Sequence, residues 1–156
     1  MNQDKINFLK NDFIFLLKHL APDAKGSWGV MNGQQMVEHF VDVVKNASGK
    51  LKLPMVNQGE TLEKARAFMF SEKPFAANIK NPFISETPPP PKKATMQGAI
   101  EKLQKELNYF FEVFENDSEL KTHNAFFGEL DFAANVHLLH KHAMHHLRQF
   151  GLVKSA

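Results

Sequence analysis

Residues Asp131 to Gly151 read DFAANVHLLHKHAMHHLRQFG, and five of the chain's eight histidines fall among them. Asp131 suits an N-cap, Gly151 suits the residue just past a helix end, and Arg148 puts a cation in the last turn, where it complements the helix dipole. Advancing each residue by roughly 100° sorts the side chains of this helix into three sectors. Phe132, Val136, Leu139, Ala143, Leu147 and Phe150 form an apolar stripe. His137, His140, Lys141 and Arg148 gather on the far side, which the pattern assigns to solvent. Asn135, Leu138, His142, His145, His146 and Gln149 run along the other flank. His142 and His146 are four apart, so their rings project from one face, one turn above the other. Two imidazoles held that way are a natural pair of ligands for one divalent metal ion.

Upstream, three more helices carry the same periodicity. Ile6, Leu9, Phe13, Leu16, Leu17 and Leu20 predict a helix over about residues 4–20, ended by Ala21-Pro22 because the residue before proline is pushed out of helical geometry. Asn32 with Gln35 makes a capping box, opening a helix that runs to about Asn46 and stops at Ser48-Gly49. Its stripe is Met36, Phe40, Val43 and Val44, with His39 at the edge. A histidine there is either a boundary residue of the core or a ligand. Thr95 opens the third, with Met96, Ile100, Leu103, Leu107, Phe110, Phe111 and Phe114 inward, and Glu101, Lys102, Lys105, Glu106, Glu112 and Glu115 outward as a solvated face. Thr61 to Ser71 supports a short extra helix. Lys73 to Lys93 contains Pro74, Pro82 and the run Pro88 to Pro91, and four successive prolines cannot be helix or central strand. It reads as a surface connection, or alternatively as a lid or a ligand for a proline-recognising domain. No hairpin signal stands out, so the fold class is all-α: a helical bundle in which the segment between helices two and three could serve as a crossover.

Bulk properties narrow the function. At 156 residues the chain is long enough for one domain, residues 1–156, with its own core. Hydrophobic and charged shares of 43% and 23% are those of an ordered globular protein. A formal charge of +2 with scattered lysines gives nucleic acid no binding face. The absence of cysteine rules out disulfides and thiolate metal sites, leaving His, carboxylate and water as ligands. The opening MNQDKINFLKND lacks the apolar centre of a signal peptide, and no apolar run approaches the ~20 residues of a membrane span, so the expected location is cytoplasmic, away from membranes. Fifteen Phe against one Tyr and one Trp indicate a Phe-rich core more readily than an aromatic ligand pocket.

Bundles build metal sites between facing helices, so His39 could supply the wall opposite His142 and His146. Three imidazoles with positions left for water or substrate are the pattern of an open, catalytic site. The runs Gln34-Gln35-Met36-Val37-Glu38-His39 and His142-Ala143-Met144-His145-His146-Leu147-Arg148-Gln149-Phe150, with His123-Asn124-Ala125-Phe126-Phe127-Gly128 between them, resemble the DinB/YfiT-like superfamily of metalloenzymes. The resemblance spans the helical scaffold. It implies a four-helix bundle in up-down-down-up order, with the metal on His39, His142 and His146. It makes His145 a pocket residue beside the ligands and Gln149 their hydrogen-bonding neighbour. The connection over Lys73 to Lys93 is longer than the simplest members of the superfamily need.

The expected activity is therefore metal-dependent, of hydrolase or thiol-transferase type on a small-molecule substrate, with Zn²⁺ or Ni²⁺ as the ion. Candidate catalytic residues are His123, His145 and Gln149; His123 could act as acid, base or substrate contact, or cap the last helix. Glu38 adjoins His39 in sequence but points about 100° away. The other class compatible with the sequence is a metal-binding or stress-response interaction module without catalysis. A homodimer fits the family resemblance and the apolar surplus of Phe8, Ile14 and Phe15 on the first helix.

Overall fold

Periodic apolar positions become helices in the computed structural model, which describes residues 3–77 and 81–154. Residues 78–80 of the proline-rich connection and two residues at each terminus lie outside the described residues. The first helix is built from α1 (Gln3–Asn7), a π-helical turn (Phe8–Asp12) and α2 (Phe13–Leu17). Leu9, Phe13 and Leu17, spaced by four, are all fully buried. A π turn holds more residues than the 3.6 of an α-helix, and this winding keeps the four-residue spacing on one face. Ile14 is buried and Phe8 packs against the core, so of the apolar surplus expected to serve a dimer only Phe15 remains exposed, at 62%.

Helix α3 (Gly33–Ala47) begins at the expected capping box, in which Asn32 Oδ1 accepts from the Gln35 amide and the Gln35 side chain accepts from the Asn32 amide. Helix α4 (Gly59–Phe70) is the short extra helix, and α5 (Met96–Asn116) is capped by the Thr95 hydroxyl. Helix α6 (Phe132–Gln149) is capped by Asp131 and ends at Gly151, whose φ of +70° favours glycine. Helices α3 and α5 pack together most extensively, with the first helix and α6 closing the core around them. Phe13, Phe40 and Phe110 are fully buried, and Phe13 meets Phe40 edge to face at 4.9 Å. Each such ring contributes about 2–3 kcal/mol by leaving water, so the Phe-rich composition serves the core. No helix among the described residues is long and apolar enough to cross a membrane.

Two departures from the sequence reading have simple causes. A two-stranded ribbon, β1 (Thr122–Asn124) with β2 (Gly128–Leu130), precedes α6 where no strand was expected. Its turn is organised by Asn124 Oδ1, which accepts from the amides of Phe126 and Phe127, and by Gly128 at φ +76°. Thr122 ties the ribbon inward by donating to the Ala47 carbonyl and accepting from Asn135. Glu106, expected outside, is 2% exposed. Lys50 at 2.9 Å and Lys102 at 2.8 Å hold its carboxylate, and those two partners outweigh burial to keep its pKa below the usual range.

The end of the proline-rich connection, residues 89–93, is a strap bound to the outside of α3. The Glu38 carboxylate accepts from the amides of Lys92 (2.6 Å) and Lys93 (3.1 Å). Gln34 and Gln35 donate to the carbonyls of Lys93 and Pro89. Proline carbonyls and the amides just past the run are the groups such a segment still has to offer, and α3 takes up both kinds.

Candidate metal centre

One turn of α3 and two of α6 face each other across the core, and their histidines meet. The ring centroids of His39 lie 5.6 Å from His142 and 5.3 Å from His146, while those of His142 and His146 are 4.7 Å apart. One nitrogen from each of the three falls within 4.8 Å of the other two. The Nε2 atoms of His142 and His146 are separated by 2.9 Å. Two nitrogens each about 2.1 Å from a shared ion would subtend about 90° at that separation. His39 Nε2 is buried without a hydrogen-bond partner. A buried imidazole nitrogen normally has one. The donor set therefore fits a borderline divalent ion such as Zn²⁺ or Ni²⁺.

The protonation states fit as well. Burial, followed by the charge of His145, lowers the pKa of His39 to about 4. Burial, then the neighbouring His39, lowers His146 to about 3, against the opposing hydrogen bond from Gln149. His142 is held well below its ordinary value by burial and then by His146 and His39. All three are neutral at pH 7, the form that ligates a metal.

Gln149 decides which nitrogen of His146 carries the proton. Its Nε2 donates to the Trp28 carbonyl at 2.8 Å, which turns Oε1 toward His146 Nδ1 at 2.7 Å. An amide oxygen only accepts, so Nδ1 bears the hydrogen and Nε2 keeps its lone pair for the site. The loop Gly26 to Gly29 is shaped around this amide. A Cβ on Gly26 would stand 2.8 Å from Gln149 Cγ, and one on Gly29, at φ +81°, 2.8 Å from its Nε2. Ser27 adds a backbone bond to the Gln149 carbonyl.

Aromatic rings frame the cluster. Phe40 packs on His142 at 5.3 Å, Phe75 lies 6.0 Å from His142 and 5.9 Å from His145, and Trp28 lies 5.4 Å from His145. His145 is half-buried beside the ligands, its pKa lowered by burial against a hydrogen bond to the Phe75 backbone. His123 stands apart: it lies in β1 opposite Glu129 with an exposed side chain, and its carbonyl accepts from Asn46, about two turns along α3 from His39. Phe75 and the loop carrying Trp28 were not singled out by the sequence; the pair of glycines in Gly26-Ser27-Trp28-Gly29 was the available signal.

The face of α6 assigned to solvent is in fact covered. The first helix and the segment after α4 pack over it. Lys5 Nζ lies 2.9 Å from His137 Nδ1, and His137 Nε2 is 3.1 Å from the Ser71 carbonyl. His140 meets Phe8 edge to face at 5.1 Å, and burial, then Lys5, lowers its pKa to about 4. Lys141, 7% exposed, reaches the carbonyls of Phe68, Ser71 and Lys73 at the end of α4. A helical wheel shows which residues share a face, but not that a second face is also covered.

Compared with known proteins, the chain matches no protein-family model, no curated protein and no solved structure.

Proposed function

We propose that the chain is a four-helix bundle of the DinB/YfiT-like kind, in up-down-down-up order, and a metal-dependent enzyme of hydrolase or thiol-transferase type acting on a small molecule. One observation carries this reading: His39, His142 and His146 present a nitrogen each within 4.8 Å of one another, and the Nε2 of His39 is buried without a partner. A divalent ion held there would supply Lewis acidity toward a carbonyl, phosphoryl or thiol group. The chain's own residues do the rest. Gln149 fixes the tautomer of His146. Phe40, Phe75 and Trp28 pack against the rings around the site. His145, kept neutral by burial, is the side chain placed to accept a proton. Glu38 is not available for that role, because its carboxylate holds the strap.

Metal analysis of untagged protein prepared without chelator, together with thermal shifts on adding Zn²⁺ or Ni²⁺, tests the site. No bound metal and no shift would sink the proposal. The commitment of Glu38 to the strap favours a second reading, a metal-binding interaction module without catalysis. His142→Ala separates the two: loss of activity with little change in stability supports the enzyme. A large stability loss, with no activity in the parent under any metal, supports the module.

A further inference from the structure

The opposite side of α6 borders a half-open cavity. A cavity of about 120 Å³ lies between α1, the segment after α4 and α6, lined by Lys5, Glu72, His137, His140, Lys141 and Arg148 among others. Its charge is unbalanced. Lys5, Lys141 and Arg148 are cations, and Glu72, with a side chain 84% exposed, is the one carboxylate on its walls. Lys141 is 7% exposed and the hydrogen-bond acceptors it reaches are backbone carbonyls, which satisfy its protons without cancelling its charge. Arg148 Nε is buried without a hydrogen-bond partner. The two histidines do not supply one: His137 is engaged by Lys5 and Ser71, and His140 packs against Phe8.

We propose that this cavity is an oxyanion site, and that it takes the phosphate group of a small molecule. Lys5 is paired with Glu72, and the charges of Lys141 and Arg148 remain, which a phosphate dianion balances and a single carboxylate does not. The guanidinium of Arg148, which lines the cavity, offers a planar fork that suits phosphate oxygens. The space is large enough for one tetrahedral oxyanion together with water. This site is separate from the three histidines, because His142 and His146 project from the other flank of α6 and His39 comes from α3, so it stands or falls independently of the metal reading.

Titration of the untagged protein with inorganic phosphate in chelator-containing, low-salt buffer, followed by the side-chain NMR signals of His137 and His140, tests it. A saturable 1:1 shift is expected. Arg148→Gln should weaken it by at least about tenfold, the scale of one charge-assisted hydrogen bond. His39→Leu, on the other side of α6, should leave it unchanged. Acetate in place of phosphate should bind at least about tenfold more weakly, because it carries half the charge. Absence of any shift would overturn the proposal. So would phosphate binding that survives Arg148→Gln, disappears in His39→Leu, or is matched by acetate. Should Arg148→Gln fail to fold, Lys5→Gln tests the same wall from α1 and should weaken phosphate binding in the same direction.

Discussion

The side-chain amide of Gln149 spans the gap between Trp28 and His146, donating to the carbonyl of one at 2.8 Å and facing Nδ1 of the other at 2.7 Å. A backbone carbonyl in a loop more than a hundred residues upstream thus determines which imidazole nitrogen is free. Gln149→Leu removes both bonds while keeping the side chain's approximate size. Metal affinity is expected to fall by about 10- to 100-fold, the usual consequence of losing a partner behind a ligating histidine. Gly26→Ala, which drives a methyl into Gln149, should shift affinity in the same direction. Competition against a chromogenic chelator measures both, and wild-type affinity in both variants would refute the coupling.

His39 has the opposite signature. Its buried Nε2 has no partner, and such an atom costs the folded state about 1–3 kcal/mol. His39→Leu should therefore leave the metal-free protein as stable as the parent or more so, while abolishing the thermal shift produced by Zn²⁺ or Ni²⁺. Denaturant unfolding in the presence of chelator gives the comparison. A marked loss of stability there would identify His39 as a packing residue.

Acid should unfold the metal-free protein readily. His39 and His140 titrate at about 4 and His146 at about 3 in the folded state, and near 6.5 in the unfolded chain. Between pH 6.5 and about 4 the unfolded state takes up protons that the folded state refuses, so stability is complete above pH 6.5 and falls as pH drops. The loss is up to about 1.4 kcal/mol per pH unit for each of His39 and His146, and less for His140, which water screens in part. Urea midpoints measured with chelator from pH 8 to pH 5 should be flat at first and then decline; a flat line throughout would contradict the burial of these rings.

Glu38→Ala should release the strap. Two charge-assisted bonds to the amides of Lys92 and Lys93 are lost, and the paired lysines become a cleavage point for trypsin. Faster limited proteolysis there, with metal affinity changed less than about threefold, is the expected result, since Glu38 contributes no ligand. Unchanged proteolysis would mean that Gln34 and Gln35 suffice to hold the strap.

What the sequence conveyed best was local. Asn32 with Gln35, Thr95 and Asp131 announce helix starts through contacts three residues away, and all three caps form. The pairing of His142 with His146 was equally legible, because helical phase alone sets it. That His39 meets them was a tertiary inference, carried by the bundle argument and the family resemblance together. The misplacements, Glu106, His137, His140 and Lys141 among them, share one cause. Helical phase ranks faces by polarity, whereas burial depends on what another segment lays over them: Lys50 for Glu106, and Lys5, Phe8 and Ser71 for the two histidines. The carbonyl of Trp28 was invisible for another reason: every residue has one, and only the fold aims it.

The crowding of five histidines between His137 and His146 also matters before the protein folds. In the native state three of them are taken up elsewhere: His137 by Lys5 and Ser71, His140 by Phe8, His145 by Trp28 and Phe75. In the unfolded chain all five are open to the same ions, and His39 is far away. An ion taken up by the native site would then bind the denatured ensemble too, which would subtract from the stabilisation it gives the native one. Excess Zn²⁺ added before refolding should consequently retard recovery of the native state, whereas the same ion added afterwards should lock it in. Order of addition, more than total dose, would govern the yield of correctly loaded protein.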